Sequence, residues 1–202
     1  MRHSFLILLL LTQGQLALGQ MRQMVWPLSG AYDLSSSQRV KLAVDFTGLA
    51  PELIVLPYDS LYHPWESLSS ICSKEGELLL YSQNRNVWGR DHLPIKNQDD
   101  VNLISSTVIG TTFSRSSLFL PVPGDTTDEH FYFFNTYEGS NEEDPKNRRL
   151  QVSLVHIDSI SGQAHVDSLW GTRFMSSGPI QEGISAVKHG NGRDYWLIYR
   201  DL

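Results

Sequence analysis

Apolar residues recur along this chain in short runs, separated by Gly, Pro, Asn and Asp. No segment sustains the i, i+3, i+4, i+7 spacing of an amphipathic helix. Turn punctuation roughly every ten residues marks a sandwich, barrel or propeller. The pattern predicts an all-β chain with strands at 40–46, 68–73, 77–83, 117–122, 130–136, 150–158, 165–170, 184–189 and 194–200. In the 150–158 run, Leu150, Val152 and Leu154 fall on one face and Gln151 and Ser153 on the other, the period of a half-buried strand.

Three hairpins share one design. The first turns at Lys74-Glu75-Gly76, the second through Pro123-Gly124-Asp125, the third at Gly190-Asn191-Gly192. Glycine suits positions where a turn needs positive φ, and Asn-Gly is the strongest short hairpin signal. Gly76, Gly124 and Gly192 lie 48 and 68 residues apart. A four-stranded propeller blade takes about 40 to 50 residues, so the first spacing fits one blade. The second fits a blade plus an insertion at 138–149, which is polar, contains Pro145 and is read as a solvated loop.

The N-terminus changes the count. Met1-Arg2-His3 is a basic start, Phe5 to Leu11 is apolar, and Ala17 and Gly19 place small residues before Gln20. This is the three-part pattern of a secretory signal peptide over 1–19, too short to anchor in a bilayer. Its removal from 202 residues leaves 183 and, with Arg2 gone, moves the net charge from −6 to −7. The segment 20–39 reads as an N-terminal extension and 40–202 as the β domain, with secretion or periplasmic and cell-surface placement expected. The acidic balance argues against direct nucleic-acid binding. Cys72, the single cysteine, allows no intrachain disulfide and reads as a small buried hydrophobe.

Four stretches, in order, carry a family resemblance. They are Leu42-Ala43-Val44-Asp45-Phe46-Thr47-Gly48; Ser70 to Tyr81 followed by Asn86-Val87-Trp88 and His92-Leu93-Pro94; Ser116 to Gly124 with Phe131-Tyr132-Phe133-Phe134; and Ala186 to Ile198. Together, residues 42–199 resemble the N-terminal β-propeller-like region of large secreted Bacteroidetes proteins. These are the gliding-motility and type IX secretion kind, which often carry PKD-type domains and a C-terminal sorting tail. Lys74-Glu75 departs from the family's Asp-Gly-type turn, and no sorting tail follows Leu202. The resemblance implies a partial or small propeller of about three to four four-stranded antiparallel blades, where a closed one has about four to eight. The alternative is a β-sandwich-like stack of hairpins. An open end exposes a sheet edge, which points to self-pairing as one outcome.

The chain contains no Gly-x-Ser-x-Gly elbow, His-Glu-x-x-His motif, P-loop or dinucleotide fingerprint. His156-x-Asp158 and His165-x-Asp167 each set a nitrogen and a carboxylate two residues apart, on one strand face. Turn chemistry is the preferred reading, with Asp opening a turn beyond the imidazole. Asp125, Asp128 and Glu129 form an acidic loop, read as a solvated turn and not a Ca²⁺ site, as is Glu142-Glu143-Asp144. Trp65, Trp88, Trp170 and Trp196 read as sheet packing, with a sugar-stacking platform as the alternative. Asp59-Ser60-Leu61, Asp125-Thr126-Thr127, Asp158-Ser159-Ile160 and Asp167-Ser168-Leu169 resemble the O-glycosylation sequon of exported Bacteroidetes proteins; Asp-Ser also favours turns.

No catalytic, cofactor-binding or metal-ligating residue is assigned, and no cofactor is expected. The reading favours an exported, non-enzymatic module that binds protein or glycan at the cell envelope or surface. A propeller-type glycoside hydrolase is the alternative; it needs two facing carboxylates, for which Asp45, Glu66, Asp91 and Glu182 are available. An incomplete propeller without activity is the third reading.

Overall fold

Alternating and β-branched runs form strands here because successive side chains point to opposite faces, and at least one face of each sheet packs against a neighbouring sheet. The computed structural model describes residues 25–33, 38–48, 50–57, 68–83, 86–97, 117–137, 149–181 and 183–202. The expected signal peptide, Trp65, Glu66, Glu182, the Asp59-Ser60 sequon, Glu142-Glu143-Asp144 and most of the 138–149 insertion lie outside them. The described residues contain strands and turns but no helix. No helix among them is long and apolar enough to cross a membrane.

Strands β1 (Val25–Asp33), β2 (Gln38–Asp45) and β3 (Glu52–Leu56) form the first antiparallel sheet, in that order. Strands β4 (Leu68–Cys72), β5 (Leu78–Gln83) and β6 (Asn86–Gly89) form the second. In the third, β7 (Ser117–Pro121), β8 (His130–Tyr137) and β9 (Arg149–Ile157) run as a meander. Strands β10 (Ala164–Val166) and β11 (Thr172–Phe174) then pair with β9, one after the other. The fourth sheet is the hairpin of β12 (Ser185–Lys188) and β13 (Tyr195–Ile198).

The sheets stack face to face in chain order, leaving three buried seams. The first gathers Val25, Ala43, Leu56, Cys72, Tyr81 and Trp88. The second gathers Ile71, Leu80, Val87, Phe119, Phe131, Phe133 and Val155 with their neighbours. The third gathers Leu120, Phe134, Leu150, Val152, Ile180 and Ile184, flanked by Tyr132, Trp170 and Leu197. The first strands of successive sheets lie beside one another, β1 against β4 and β4 against β7. Ser70 Oγ donates to the Val25 carbonyl at 2.6 Å, and Ser82 Oγ to Ser117 Oγ at 3.2 Å, tying β4 to β1 and β5 to β7.

The three expected hairpins form, with φ of 94° at Gly76, 88° at Gly124 and 73° at Gly192. Among the described residues the sheets hold three, three, five and two strands, and no closed barrel or propeller is found. Two expectations are corrected. The 165–170 strand ends at Val166, because Asp167 Oδ1 takes the amides of Leu169 and Trp170 and turns the chain. The polar face of β9 is not solvated: Gln151 and Ser153 are fully buried, because that face packs on the second sheet. Part of the stretch read as an N-terminal extension is β1, paired with β2.

Lys41 is an unexpected seam residue. It is fully buried, with Nζ 4.2 Å from the centre of the Trp88 ring and 5.6 Å from that of Tyr81. Those rings stack at 5.4 Å, so the cation lies over an aromatic pair. Turning Lys41 and Ala43 inward sends the opposite face of β2 and β3 outward, where Leu53 and Val55 are 60% and 70% exposed.

Candidate functional site

Cross-strand register brings together three imidazoles that are far apart in sequence. His130 opens β8, His156 is the penultimate residue of β9, and His165 is the centre of β10. His156 lies directly opposite His130 on one side and His165 on the other. Directly opposed residues share a face, so all three rings stand on the face of Tyr132 and Phe134, beyond the end of the third seam. The His130 and His156 rings stack at 4.7 Å with 11° between planes. The His156 and His165 rings meet edge to face at 4.9 Å. All three residues are half-buried.

Each imidazole has an aspartate nearby. Asp125 Oδ2 lies 3.4 Å from His130 Nδ1. Asp125 is also the hub of the β7–β8 loop. Its Oδ1 accepts from Thr127 N at 2.8 Å and Thr127 Oγ1 at 2.6 Å, and its Oδ2 from His130 N at 2.8 Å and Glu129 N at 3.2 Å. Burial pushes this carboxyl up, but the Thr127 hydroxyl and the amides of Thr127, His130 and Glu129 outweigh it and hold it well below the usual carboxylate range. Asp158 Oδ1 accepts from Ile160 N, Ser161 N and Ser161 Oγ in the β9–β10 turn. Its carboxyl is lowered by the Ser161 amide first, then the Ser161 hydroxyl, with a smaller contribution from His156. The Trp170 amide is the largest cause lowering the Asp167 carboxyl, with the Leu169 amide next and His165 and His156 adding to it.

Within each His-x-Asp pair, then, the Asp caps a turn, which is the turn chemistry expected. The acidic loop is held in the same way, and Lys74 crosses to it: its amide donates to Asp128 Oδ2 at 3.0 Å and its Nζ to the Thr126 carbonyl at 2.7 Å. As placed, the imidazoles stack instead of aiming nitrogens at one point. Among the described residues, no three His, Cys, Asp or Glu side chains converge as a metal-holding group.

Of the four carboxylates named for a hydrolase, Asp45 and Asp91 are among the described residues, and each holds its own turn. Asp45 Oδ1 accepts the Thr47 amide at 2.7 Å and Asp91 Oδ1 the Leu93 amide at 3.1 Å. Trp88 is fully buried, and Trp170 is half-buried beside Tyr132 at 5.9 Å, as packing residues. Trp196 departs from that expectation. It is 62% exposed on the outer face of β13, with Val187 directly opposite at 53% and Ile198 on the same face at 53%. His189 meets its ring edge-on at 5.3 Å. Thr126, Ser159 and Ser168 of the three described Asp-Ser/Thr sequons are exposed on turns in which the Asp takes the amide two residues on.

His130 was not singled out in the sequence. Its partnership depends on the β8–β9 register, which pairs residues far apart in sequence. No family model matches the chain, and neither the curated proteins nor the solved structures give a match.

Proposed function

We propose that this chain is an exported, non-enzymatic module of propeller-like blades that binds a protein partner at the cell envelope through the outer face of its last hairpin. The observation that carries this reading is the cluster of Val187, Trp196 and Ile198, more than half exposed together on one sheet face. Contiguous exposed apolar side chains of this size mark interaction sites, and Trp is enriched among binding hot spots. Val187 and Ile198 beside the indole favour a protein surface over a glycan, whose hydroxyls need hydrogen-bonding neighbours around a stacking ring. The blade reading is supported by sequential meander sheets, the neighbouring first strands β1, β4 and β7, and the resemblance of residues 42–199 to secreted Bacteroidetes propeller regions.

The test uses residues 20–202 and the double variant Val187→Ser/Trp196→Ser. The expected result is a discrete envelope protein retained by the wild type, reconstituted with that protein purified, and lost with the variant while the melting profile is kept. Retention of a glycan from an array, or self-association abolished by the same variant, overturns the protein-partner reading. Turnover of a glycoside overturns the non-enzymatic one.

A further inference from the structure

Two arginines and two apolar side chains line the third sheet along β11. Arg149 opens β9, Arg173 is the centre of β11, and both are exposed. Among the described residues, neither guanidinium has a carboxylate within ion-pair distance. Each lies over an aromatic ring instead: Arg173 Cζ is 4.4 Å from the centre of the Trp170 ring, and Arg149 Cζ is 5.5 Å from that of Phe174. Leu169, in the turn that leads into β11, is almost fully exposed, and Met175, just past the strand, is half exposed. We propose that this surface docks an extended acidic segment of a protein partner, with carboxylates on Arg149 and Arg173 and apolar side chains on Leu169 and Met175. The inference does not depend on the proposed binding face on β12 and β13.

Charge complementarity is the first argument. The chain as a whole carries a net charge of −6, so two arginines without acidic neighbours are a local exception in it. A guanidinium fork matches a carboxylate through two parallel hydrogen bonds. Arg173 Nε donates to the Trp170 carbonyl at 3.2 Å, which holds the fork and leaves its terminal nitrogens for a ligand. Stacking on a ring leaves the in-plane N–H groups of a guanidinium available and restricts its rotamers, so less ordering is needed on binding.

Register supplies the second argument. Arg173 lies opposite Val152 and Phe174 opposite Gln151, so Arg173 takes one face of β11 while Phe174, with Arg149 over it, takes the other. Successive side chains of an extended segment also point to opposite sides. Two adjacent acidic residues laid along β11 therefore send one carboxylate to each guanidinium. The backbone that presents the surface is held in place: Met175 N donates to the Leu150 carbonyl at 2.8 Å, Leu150 N to Ser176 Oγ at 3.1 Å, and the Ser153 and Thr172 hydroxyls bond at 2.7 Å. The third argument separates a protein segment from other polyanions. Arg173 covers the Trp170 ring and Tyr132 lies 5.9 Å from it, so the indole is engaged within the chain instead of offered to a base or sugar. Leu169 and Met175 call for aliphatic partners, which a nucleic acid or sulfated glycan lacks.

The experiment is fluorescence anisotropy of residues 20–202 with a short labelled peptide containing Leu-Asp-Asp-Leu between Gly-Ser ends, at about 0.05 and 0.3 M salt. The expected result is saturable binding that weakens at the higher salt. A peptide with Lys in place of Asp is not bound, and one with Ser in place of Leu is bound several-fold more weakly. The double variant Arg149→Gln/Arg173→Gln is expected to weaken binding by about tenfold or more with its melting profile kept. Leu169→Ser weakens it by several-fold. Val187→Ser/Trp196→Ser leaves it unchanged, which separates this surface from the outer face of the last hairpin. If the arginine double variant melts abnormally, Arg173→Gln takes its place. Absence of saturable binding by the wild type, equal binding of the Lys peptide, or undiminished binding by a folded arginine variant overturns the proposal. Tighter binding of heparin or of single-stranded oligothymidine than of the Asp peptide also overturns it.

Discussion

Single residues in this chain act chiefly through turns, and Asp125 does so most strongly. Four hydrogen bonds from three residues end on its carboxylate. Its folded-state proton affinity is depressed, so the ionised form contributes stability that is fully present above the unfolded value near pH 4 and is lost as pH falls toward the lower folded value. Asp125→Ala is therefore expected to destabilise the protein by about 2 kcal/mol at pH 7. Its deficit against the wild type narrows below about pH 4, as measured by urea unfolding across the acid range. A deficit that does not change with pH refutes this account. His92 is a second titrating residue: burial, then the Lys41 charge, lowers its proton affinity against an opposing pull from Asp91.

At the scale of the element, the third sheet carries apolar and polar rows on one buried face. Phe131, Phe133 and Val155 continue into Ser117, Asn135 and Gln151, which are aligned across β7, β8 and β9. Asn135 is fully buried, and neither amide atom has a hydrogen-bond partner in the structure. A buried amide left unsatisfied costs more than its replacement by an apolar side chain. Asn135→Val, which suits a strand, is expected to raise stability by about 1 kcal/mol, read as a higher melting temperature. Destabilisation instead would mean that the amide is satisfied in solution. The strands themselves were readable because alternation and glycine turns are local. Nine were predicted near their observed places. β1, β3, β6 and β11 were not among the predictions; β6 and β11 have only four and three residues, too few for a period of two to stand out.

Across the whole molecule, the second and third sheets are buried on both faces, so the seams couple neighbours in series. Trp88 anchors the first seam under Lys41 and against Tyr81. Trp88→Ala is expected to cost about 3 to 5 kcal/mol. The loss should appear as one shifted cooperative transition reported alike by far-UV dichroism and by fluorescence of the four remaining tryptophans. Two separated transitions would show that the first sheet melts on its own. The stack ends on apolar outer faces, Leu53 and Val55 on the first sheet and Val187, Trp196 and Ile198 on the fourth.

Local patterning was enough to make this an all-β chain, to place its three glycine hairpins and to assign Asp158 and Asp167 to turns. Each of these rests on interactions spanning a few residues. Which strand face is buried, whether a polar face meets water or another sheet, and which histidines become neighbours depend on register between segments distant in sequence. Lys41 against Trp88, the burial of Gln151, the exposure of Trp196 and the alignment of His130 with His156 and His165 are all of this second kind. Alternation alone states that two faces differ; only the stacking of sheets decides what each face meets.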